Sequence, residues 1–217
     1  ANFDDIDFII ETIIEADKSS TTVISSCNIL SINEEEYREL LKNILLENIP
    51  NCEYSLTGFL VAEREGRILG ALNSWVEGLD GIPNSMIKSN LILSFIDKEK
   101  ILKNKERMHL INALTLEREQ KTIQLEYGYV VDVQRRKKIF TNLIIESIRK
   151  HFNSGFKTKV QAMLYKENYP SYLAFEKLGF HIAQEKKSDE PEIFSIFPYN
   201  SKVLMELNKD DAEKLIL

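Results

Sequence analysis

Residues 130–145 read VVDVQRRKKIFTNLII and carry four consecutive basic side chains between two apolar runs. Residues 122–133 (TIQLEYGYVVDV) are rich in β-branched and aromatic side chains and predict a strand. Residues 141–152 (TNLIIESIRKHF) predict a helix that ends near Gly155. Where a strand feeds a helix, the first helical N–H groups lack partners and, with the helix dipole, favour a phosphate. The basic run therefore indicates either a phosphate site or a solvated turn that balances nearby acids.

Composition narrows the class of protein. The 217 residues carry a formal net charge of -6, with 43% hydrophobic and 29% charged residues. This is ordinary globular composition, and the acidic balance argues against binding along a nucleic-acid backbone. Cys27 and Cys52 are the only cysteines, and two thiols without a secretory leader favour a reducing, cytoplasmic location. Because no apolar run approaches the ~20 residues that span a bilayer, we expect no membrane segment.

The order of predicted elements indicates one α/β domain over residues 1–217 with a mixed sheet. Helices are predicted at residues 6–17 and 32–50, the second with Asn33 as cap and Glu36 three residues later. Two apolar strands joined by Glu65-Gly66 predict a hairpin within residues 58–78. After the strand at 122–133 come a helix, a strand within 157–165, a helix closed by Gly179, and two final strands.

Residues 80–121 separate two otherwise adjacent strands and are predicted to form a helical insert. Residues 86–96 have the pattern of a buried helix, residues 97–107 are strongly charged, and residues 108–117 are apolar again. An insert of this length far exceeds a hairpin loop, so we expect it to carry function or association. It forms the wall of an acceptor site, a contact in a homodimer, or padding for the core of its own domain.

Two blocks of sequence resemble the GNAT N-acetyltransferase superfamily. The first, Val130-x-Asp132-x-x-Arg135-Arg136-Lys137-Lys138-Ile139, is similar to the family's acetyl-CoA-binding turn, V-x-P-x-x-(R/Q)-x-x-G-x-(G/A). The second starts at Asn168 and ends in Phe175-Glu176-Lys177-Leu178-Gly179-Phe180, similar to N-x-x-A-x-x-x-Y-E-K-x-G-F. The resemblance covers essentially the whole chain except residues 80–121. It implies a mixed, mostly antiparallel central sheet flanked by helices, here with a helical insert.

The resemblance also implies an activity, which is transfer of acetyl from acetyl-CoA to an amine by direct attack in a ternary complex. The acceptor would be a small-molecule or peptide amine, and its identity stays open because loops and inserts set acceptor specificity. The CoA pyrophosphate would lie on the N–H groups of residues 136–140. The residues implied to bind CoA are Tyr129, Val130, Arg135, Arg136, Lys137, Lys138, Ile139, Phe140, Asn168 and Phe175.

This chain departs from the family's pattern at three positions. Lys138 stands where the family usually has glycine, and Phe140 where it has glycine or alanine. We expect Lys138 to present its N–H from helical geometry, with weaker or repositioned CoA binding. Phe175 stands where many members carry a tyrosine that protonates the departing thiolate, and phenylalanine has no proton to donate. Tyr172, three residues earlier on the same helix, is the candidate substitute, with solvent as the alternative.

Glu126 is the candidate general base for the acceptor ammonium, directly or through water. Strand alternation predicts that Gln124, Glu126, Gly128 and Val130 share one face, with Gly128 fitting a bulge or a close approach. The competing interpretation of Glu126 is a solvated or ion-paired strand glutamate. No histidine has a metal-ligand partner at a useful spacing, which predicts no metal site.

Two other functions compete with acetyl transfer. Phe175 and Lys138 favour a non-catalytic acyl-CoA-binding or regulatory module on the same fold, whereas Arg135 and the intact spacing favour an enzyme. A nucleic-acid-binding role for residues 135–138 is the weakest reading, because the chain is acidic and lacks flanking basic or aromatic repeats.

Overall fold

The computed structural model describes residues 1–97, 99–100 and 105–217. Its helices are α1 (Ile6–Lys18), α2 (Ser25–Leu30), α3 (Glu34–Glu47), α4 (Asn84–Phe95), α5 (Met108–Ala113), α6 (Ile139–Asn153), α7 (Tyr169–Glu176) and α8 (Lys209–Ile216). Its strands are β1 (Phe59–Arg64), β2 (Arg67–Val76), β3 (Ile123–Val130), β4 (Val160–Tyr165), β5 (His181–Lys187) and β6 (Ser201–Leu207).

The strands form one sheet in the order β1-β2-β3-β4-β6-β5. Only the β3–β4 pair is parallel, and the other four pairs are antiparallel. Helices α1 and α3 pack over one face with an isoleucine- and leucine-rich cluster. Helix α6 covers the opposite face, where it contacts β2 and β3. The predicted mixed, mostly antiparallel sheet flanked by helices is therefore confirmed.

Local sequence signals explain where several elements begin and end. Asn33 caps α3 by accepting the Glu36 N–H while the Glu36 carboxylate accepts the Asn33 N–H, which is the predicted capping box. The hairpin between β1 and β2 turns at Glu65 and Gly66, which both have positive φ, 53° and 72°. Such a pair of left-handed residues matches the twist of the flanking strands.

Two helices were not predicted from the sequence. The short helix α2 has no side-chain cap and only six residues, so its apolar pattern is too brief to detect. Helix α8 does carry a signal, because Asn208 accepts the Asp211 N–H as an N-cap. Asn208, directly before the apolar and charged residues of α8, is therefore the sequence signal for the start of this helix.

The prediction of a buried helix at residues 86–96 is wrong. Helix α4 lies on the surface, where Met86, Leu93 and Phe95 are exposed and only one side packs against the α1–α3 cluster. Because polar and apolar side chains alternate around this helix without a distinct polar face, its apolar residues resembled the pattern of a core helix. Part of the charged stretch at 97–107 falls on residues 98 and 101–104, which lie outside the described residues. The homodimer contact stays a prediction.

Within the part of the chain that the structure describes, no helix is both long enough and apolar enough to cross a bilayer.

Candidate active site

A cleft opens in the sheet where β3 and β4 separate. The two strands pair only at Ile123–Val160, Gln124–Gln161 and Leu125–Ala162. Beyond these residues, the rest of β3 and the end of β4 line a cleft of about 970 Å³ instead of continuing the ladder. The cleft reaches from the start of α6 and from α7 at one end to α1, α2 and the insert at the other. Backbone groups along the separated strands are thus positioned for an extended ligand.

A β-bulge changes which β3 side chains face the cleft. Tyr127 has a φ of 49°, and Leu72 of β2 is skipped in the register between Ala71–Tyr129 and Asn73–Glu126. A Cβ atom on Gly128 would lie 2.4 Å from the Phe140 ring of α6, so Gly128 makes the predicted close approach. The bulge that was expected around Gly128 is therefore present.

The predicted strand faces are wrong beyond this bulge, because the extra residue inverts the alternation. Gly128 and Val130 face α6, as Leu125 does. Tyr127 and Tyr129 turn instead toward the α1 side, where their rings meet Tyr54 at 5.7 Å and Phe8 at 6.3 Å between centroids. Glu126 precedes the inversion and keeps its place in the cleft.

The basic turn between β3 and α6 adopts an unusual backbone conformation. Arg136 and Lys138 both lie in the left-handed region, with φ of 62° and 63°, and Lys138 is the N-cap of α6. The expected helical geometry at Lys138 is therefore wrong. Glycine suits a position with this positive φ, because the Cβ atom of any other residue crowds the neighbouring backbone there.

The four basic side chains, Arg135 to Lys138, differ in whether another side chain pairs with them. Arg135 donates to Asp132 at 2.7 Å and lies 5.9 Å above the Tyr129 ring. Lys137 donates to Gln134 at 2.8 Å and does not line the cleft. Arg136 and Lys138 line the cleft, and within the described residues neither forms an ion pair. Their two positive charges stand beside the unpaired N–H groups that begin α6.

Helix α7 supplies the facing wall at this end of the cleft. Asn168 is buried at its N-terminus and its Oδ1 accepts from Ser20 Oγ at 3.3 Å. Phe175 is buried and meets the rings of Phe140 and Phe180 edge-on. Tyr172 is half-buried against the hydrophobic cluster beneath α6 and is not among the side chains that line the cleft. Both Asn168 and Phe175 line it, as do Tyr129, Val130, Ile139 and Phe140.

The other end of the cleft holds a buried cluster of charges around Glu53. Glu53 forms an ion pair with Lys88 and accepts from Arg118 at 3.3 Å and from Asn84 at 2.8 Å. Tyr127 donates to it at 3.2 Å. Burial would raise the pKa of Glu53, but the charges of Lys88 and Arg118 outweigh burial and hold that pKa at about 2. Glu53 is therefore ionised, and its carboxylate is held by these ion pairs and hydrogen bonds.

Glu126 is ion-paired with Arg118, whose nitrogen lies 2.7 Å from Glu126 Oε1. Its side chain is 15% exposed and lines the cleft. One carboxylate oxygen of Glu126 is thus ion-paired, as the competing interpretation expected. The other oxygen, Glu126 Oε2, has no protein partner within the described residues. Arg118 is itself steadied by the Trp75 ring, 5.2 Å from its guanidinium carbon.

The insert contributes directly to this end of the cleft. Lys88 comes from α4 and Arg118 from the segment after α5, and apolar side chains of Ile111 and Leu116 line the wall between them. Trp75, near the end of β2, is buried and donates to Glu77, which makes it a core residue.

Sequence reasoning missed several cleft residues, notably Glu53, Lys88, Arg118, Asp17 and Lys202. Lys202 lies on β6 with its ammonium 5.3 Å from the Tyr165 ring centroid, and burial lowers its pKa. Asp17 ends α1 and accepts the Ser26 N–H at 2.9 Å, and burial raises its pKa. No motif marks these residues, because they come from distant parts of the chain and meet only in the fold.

The histidines lie outside the cleft. The sequence favours a packing role for His109 in the insert, but this side chain is exposed beside Glu190, with His109 Nε2 3.4 Å from Glu190 Oε2. His151 lies near the C-terminal end of α6, where the helix dipole favours a cation, but burial lowers its pKa to about 4 and leaves it neutral. Its Nε2 is 3.0 Å from Ser74 Oγ. In the described ranges no group of three or more His, Cys, Asp or Glu side chains comes together as a metal site.

The start of α6, with Arg136 and Lys138, presents unpaired N–H groups and positive charge at one end of the cleft, an arrangement that favours an anion. Lys138 and Phe140 narrow the space through which a ligand would approach the backbone. Phe140 already fills the space beside Gly128.

Comparison with known proteins identifies the fold. No protein-family model and no curated protein matches the sequence. An N-acetyltransferase from Staphylococcus aureus Mu50 is similar with a TM-score of 0.66 at 13% identity, covering 95% of this chain and 97% of that one. A ribosomal-protein-alanine N-acetyltransferase from Brucella melitensis has a TM-score of 0.53 at 17% identity, covering 96% of each chain.

A further solved structure carries the expected substrate. A putative acetyltransferase from Salmonella typhimurium, solved with its cofactor acetyl-CoA, has a TM-score of 0.54 at 16% identity over 97% of this chain and 91% of that one. In each comparison the structural agreement spans nearly the full length of both chains. Because the sequence identities are only 13%, 17% and 16%, this agreement shows a shared fold. The protein therefore has the fold of the GNAT N-acetyltransferases.

Proposed function

We propose that the protein transfers an acetyl group from acetyl-CoA to an amine acceptor by direct attack in a ternary complex. The observation that carries the proposal is a single cleft with two chemically different ends. At one end lie Arg136, Lys138 and the start of α6, and at the other lies the half-buried carboxylate of Glu126. A phosphate-bearing donor and an amine acceptor would thus meet between the separated strands.

The chain's own groups supply the binding interactions. Arg135, Arg136 and Lys138 offer positive charge to the pyrophosphate, and the N–H groups at residues 136–140 donate to its oxygens. Backbone groups of Tyr129 and Val130 pair with the pantetheine chain as an added strand would. Acetyl-CoA supplies the activated acyl group, and holding it beside the acceptor lowers the entropic barrier to attack.

Proton transfer follows from the position of Glu126. An ammonium has no lone pair, so the acceptor must first lose a proton. Glu126 Oε2 accepts that proton, directly or through water, while Arg118 holds the other oxygen in place. A backbone N–H of the strand that contains Tyr129 and Val130 donates to the carbonyl oxygen as it gains charge.

The departing thiolate needs a proton from Tyr172 or from solvent. Phe175 has none to give. Because Tyr172 packs against the core and does not line the cleft, the geometry favours solvent. We therefore expect Tyr172→Phe to turn over like the unaltered protein.

A non-catalytic acyl-CoA-binding module is the second candidate. It is favoured by the buried Phe175 and by the strained backbone at Lys138. Such a module would bind acetyl-CoA in the same cleft and transfer nothing.

One experiment separates the two functions. The protein is incubated with acetyl-CoA and a broad panel of amines, and free thiol is followed while acetyl-CoA binding is measured by calorimetry. Acceptor-dependent thiol release supports the enzyme. Binding without turnover across the panel supports the module, and absence of acetyl-CoA binding refutes both.

A further inference from the structure

Among the three cations at the Glu53 end of the cleft, Lys88, Arg118 and Lys202, Lys202 stands out because no acidic side chain of the described residues forms an ion pair with it. Lys88 pairs with Glu53, and Arg118 pairs with both Glu53 and Glu126. Lys202 lines the same cleft, yet within the described residues it forms no salt bridge. Its ammonium lies over the face of the Tyr165 ring, 5.3 Å from the centroid.

The surroundings of Lys202 make an incoming anion favourable. Burial lowers its pKa, and the charged groups that act on it are Glu126, Arg118, Lys88 and Asp17. Of the two acids, Glu126 is engaged by Arg118, and Asp17 accepts the Ser26 N–H. A cation that is partly removed from water without a partner is costly, and a ligand carboxylate would compensate for this.

We propose that the acceptor is a small amino acid-like molecule, with a carboxylate beside its reacting amine, and that Lys202 binds this carboxylate. The inference rests on the proposed acetyl transfer and names its acceptor class. Glu126 would take the amine's proton at one side of the pocket, and Lys202 would hold the carboxylate at the other.

The sheet order supports this pairing of roles. Strand β4 lies between β3, which carries Glu126, and β6, which carries Lys202. Two strand spacings separate their backbones by about 10 Å, and both side chains line the same cleft. A molecule with an amine and a carboxylate a few bonds apart fits this span, whereas a protein N-terminus brings no obligatory carboxylate.

Polycationic acceptors fit the same cleft poorly. Polyamines and aminoglycosides need several free carboxylates, but Glu53 and Glu126 already hold protein cations. Glu15, near the other wall, is paired with Lys18 at 2.7 Å. A second ammonium would meet the charges of Lys88, Arg118 and Lys202, and the remaining acid nearby is Asp17, which already accepts the Ser26 N–H and whose pKa is raised by burial.

The test compares matched acceptors in the thiol-release assay. The panel contains the common L- and D-α-amino acids, β-alanine and γ-aminobutyrate, each with its amide or decarboxylated amine, together with polyamines. We expect turnover with acids and KM values about 10- to 100-fold higher for their amides, as for loss of a charge-assisted hydrogen bond. Equal turnover of acid and amide, or preference for a polyamine, overturns the inference.

Variants at position 202 provide a second line of evidence. Lys202→Met should raise KM for carboxylate acceptors about 10- to 100-fold and leave acetyl-CoA affinity unchanged, and Lys202→Arg should restore most of the loss. Lys186→Met is the matched control, because Lys186 pairs with Lys202 in register on β5 but is exposed. An unchanged KM in Lys202→Met overturns the inference.

The outcomes also separate this inference from the proposed function. If acetyl-CoA binds and acetyl passes to amines without carboxylates, or to no acid in the panel, only the acceptor class is wrong. If acetyl-CoA does not bind at all, the proposed function fails first, and the acceptor class fails with it.

Discussion

Arg118 donates to Glu126 across 2.7 Å, and the same guanidinium contacts Glu53 at 3.3 Å. This relationship ties the insert to the separated strand β3, because Arg118 follows α5 and Glu126 lies within β3. The insert is thus part of the cleft's electrostatics as well as of its wall. It also follows that removing residues 82–119 would strip the buried Glu53 of Lys88 and Arg118 together.

The role of Glu126 as base predicts a loss of turnover in Glu126→Gln. Glutamine keeps an oxygen for Arg118 but accepts no proton, so turnover should fall about 10²- to 10⁴-fold with acetyl-CoA affinity unchanged. Steady-state kinetics across pH and calorimetry measure the two effects. Glu119→Gln is the matched control, since Glu119 is exposed and pairs with Lys159. Full activity of Glu126→Gln at every pH would show that Glu126 is not the base.

The buried charge cluster predicts that Arg118 is important for stability. Arg118→Met leaves Glu126 without its cation and Glu53 with Lys88 alone, which should reduce the free energy of unfolding by about 3–5 kcal/mol. Urea unfolding followed by circular dichroism measures this change. Lys214→Met, which breaks an exposed i,i+3 pair with Asp211, should leave the free energy of unfolding nearly unchanged. Equal stability of the two variants would contradict the assignment.

The basic turn predicts where acetyl-CoA binding depends on charge. Replacing Arg135 and Arg136 together by glutamate puts two negative charges beside the pyrophosphate, so binding should become undetectable by calorimetry. The control replaces Lys186 and Lys187, two neighbouring basic residues on β5, in the same way. Unchanged affinity in the first variant would place the pyrophosphate elsewhere.

Backbone strain at Lys138 predicts that glycine is better than alanine there. Lys138→Gly and Lys138→Ala lose the same charge, but only glycine relaxes the φ of 63°. We expect the glycine variant to be more stable than the alanine variant by about 1 kcal/mol and to bind acetyl-CoA more tightly. Thermal unfolding and calorimetry compare the pair. Equal values in both assays would mean that the left-handed backbone carries no cost.

The burial of His151 predicts a loss of stability in acid. Burial lowers its pKa from 6.5 to about 4 in the folded protein, so the unfolded chain binds a proton more readily. The contribution of neutral His151 to the free energy of unfolding is present above pH 6.5, and it is lost as the pH falls from 6.5 toward 4. Urea unfolding at several pH values should therefore show a smaller pH dependence over this window in His151→Gln. The exposed His181→Gln should behave like the unaltered protein, and identical slopes in all three would refute the prediction.

Much of the fold was predictable because its signals are local. The Asn33–Glu36 capping box, the Glu65-Gly66 turn and the two motif blocks at residues 130–139 and 168–180 each depend on residues that lie close together in the chain. Hydrogen bonding and backbone preference act over a few residues, so such patterns can be read without the tertiary structure.

The composition of the candidate site required the tertiary structure. One extra residue at Tyr127 inverted the faces of β3, and the alternation rule has no means to detect it. The cluster of Glu53, Lys88, Arg118, Glu126 and Lys202 comes from five separate segments. Within its own segment of sequence, none of these charged residues belongs to a recognisable motif. Their pairing depends on distances set by packing, because electrostatic energy falls with separation in space and not along the chain.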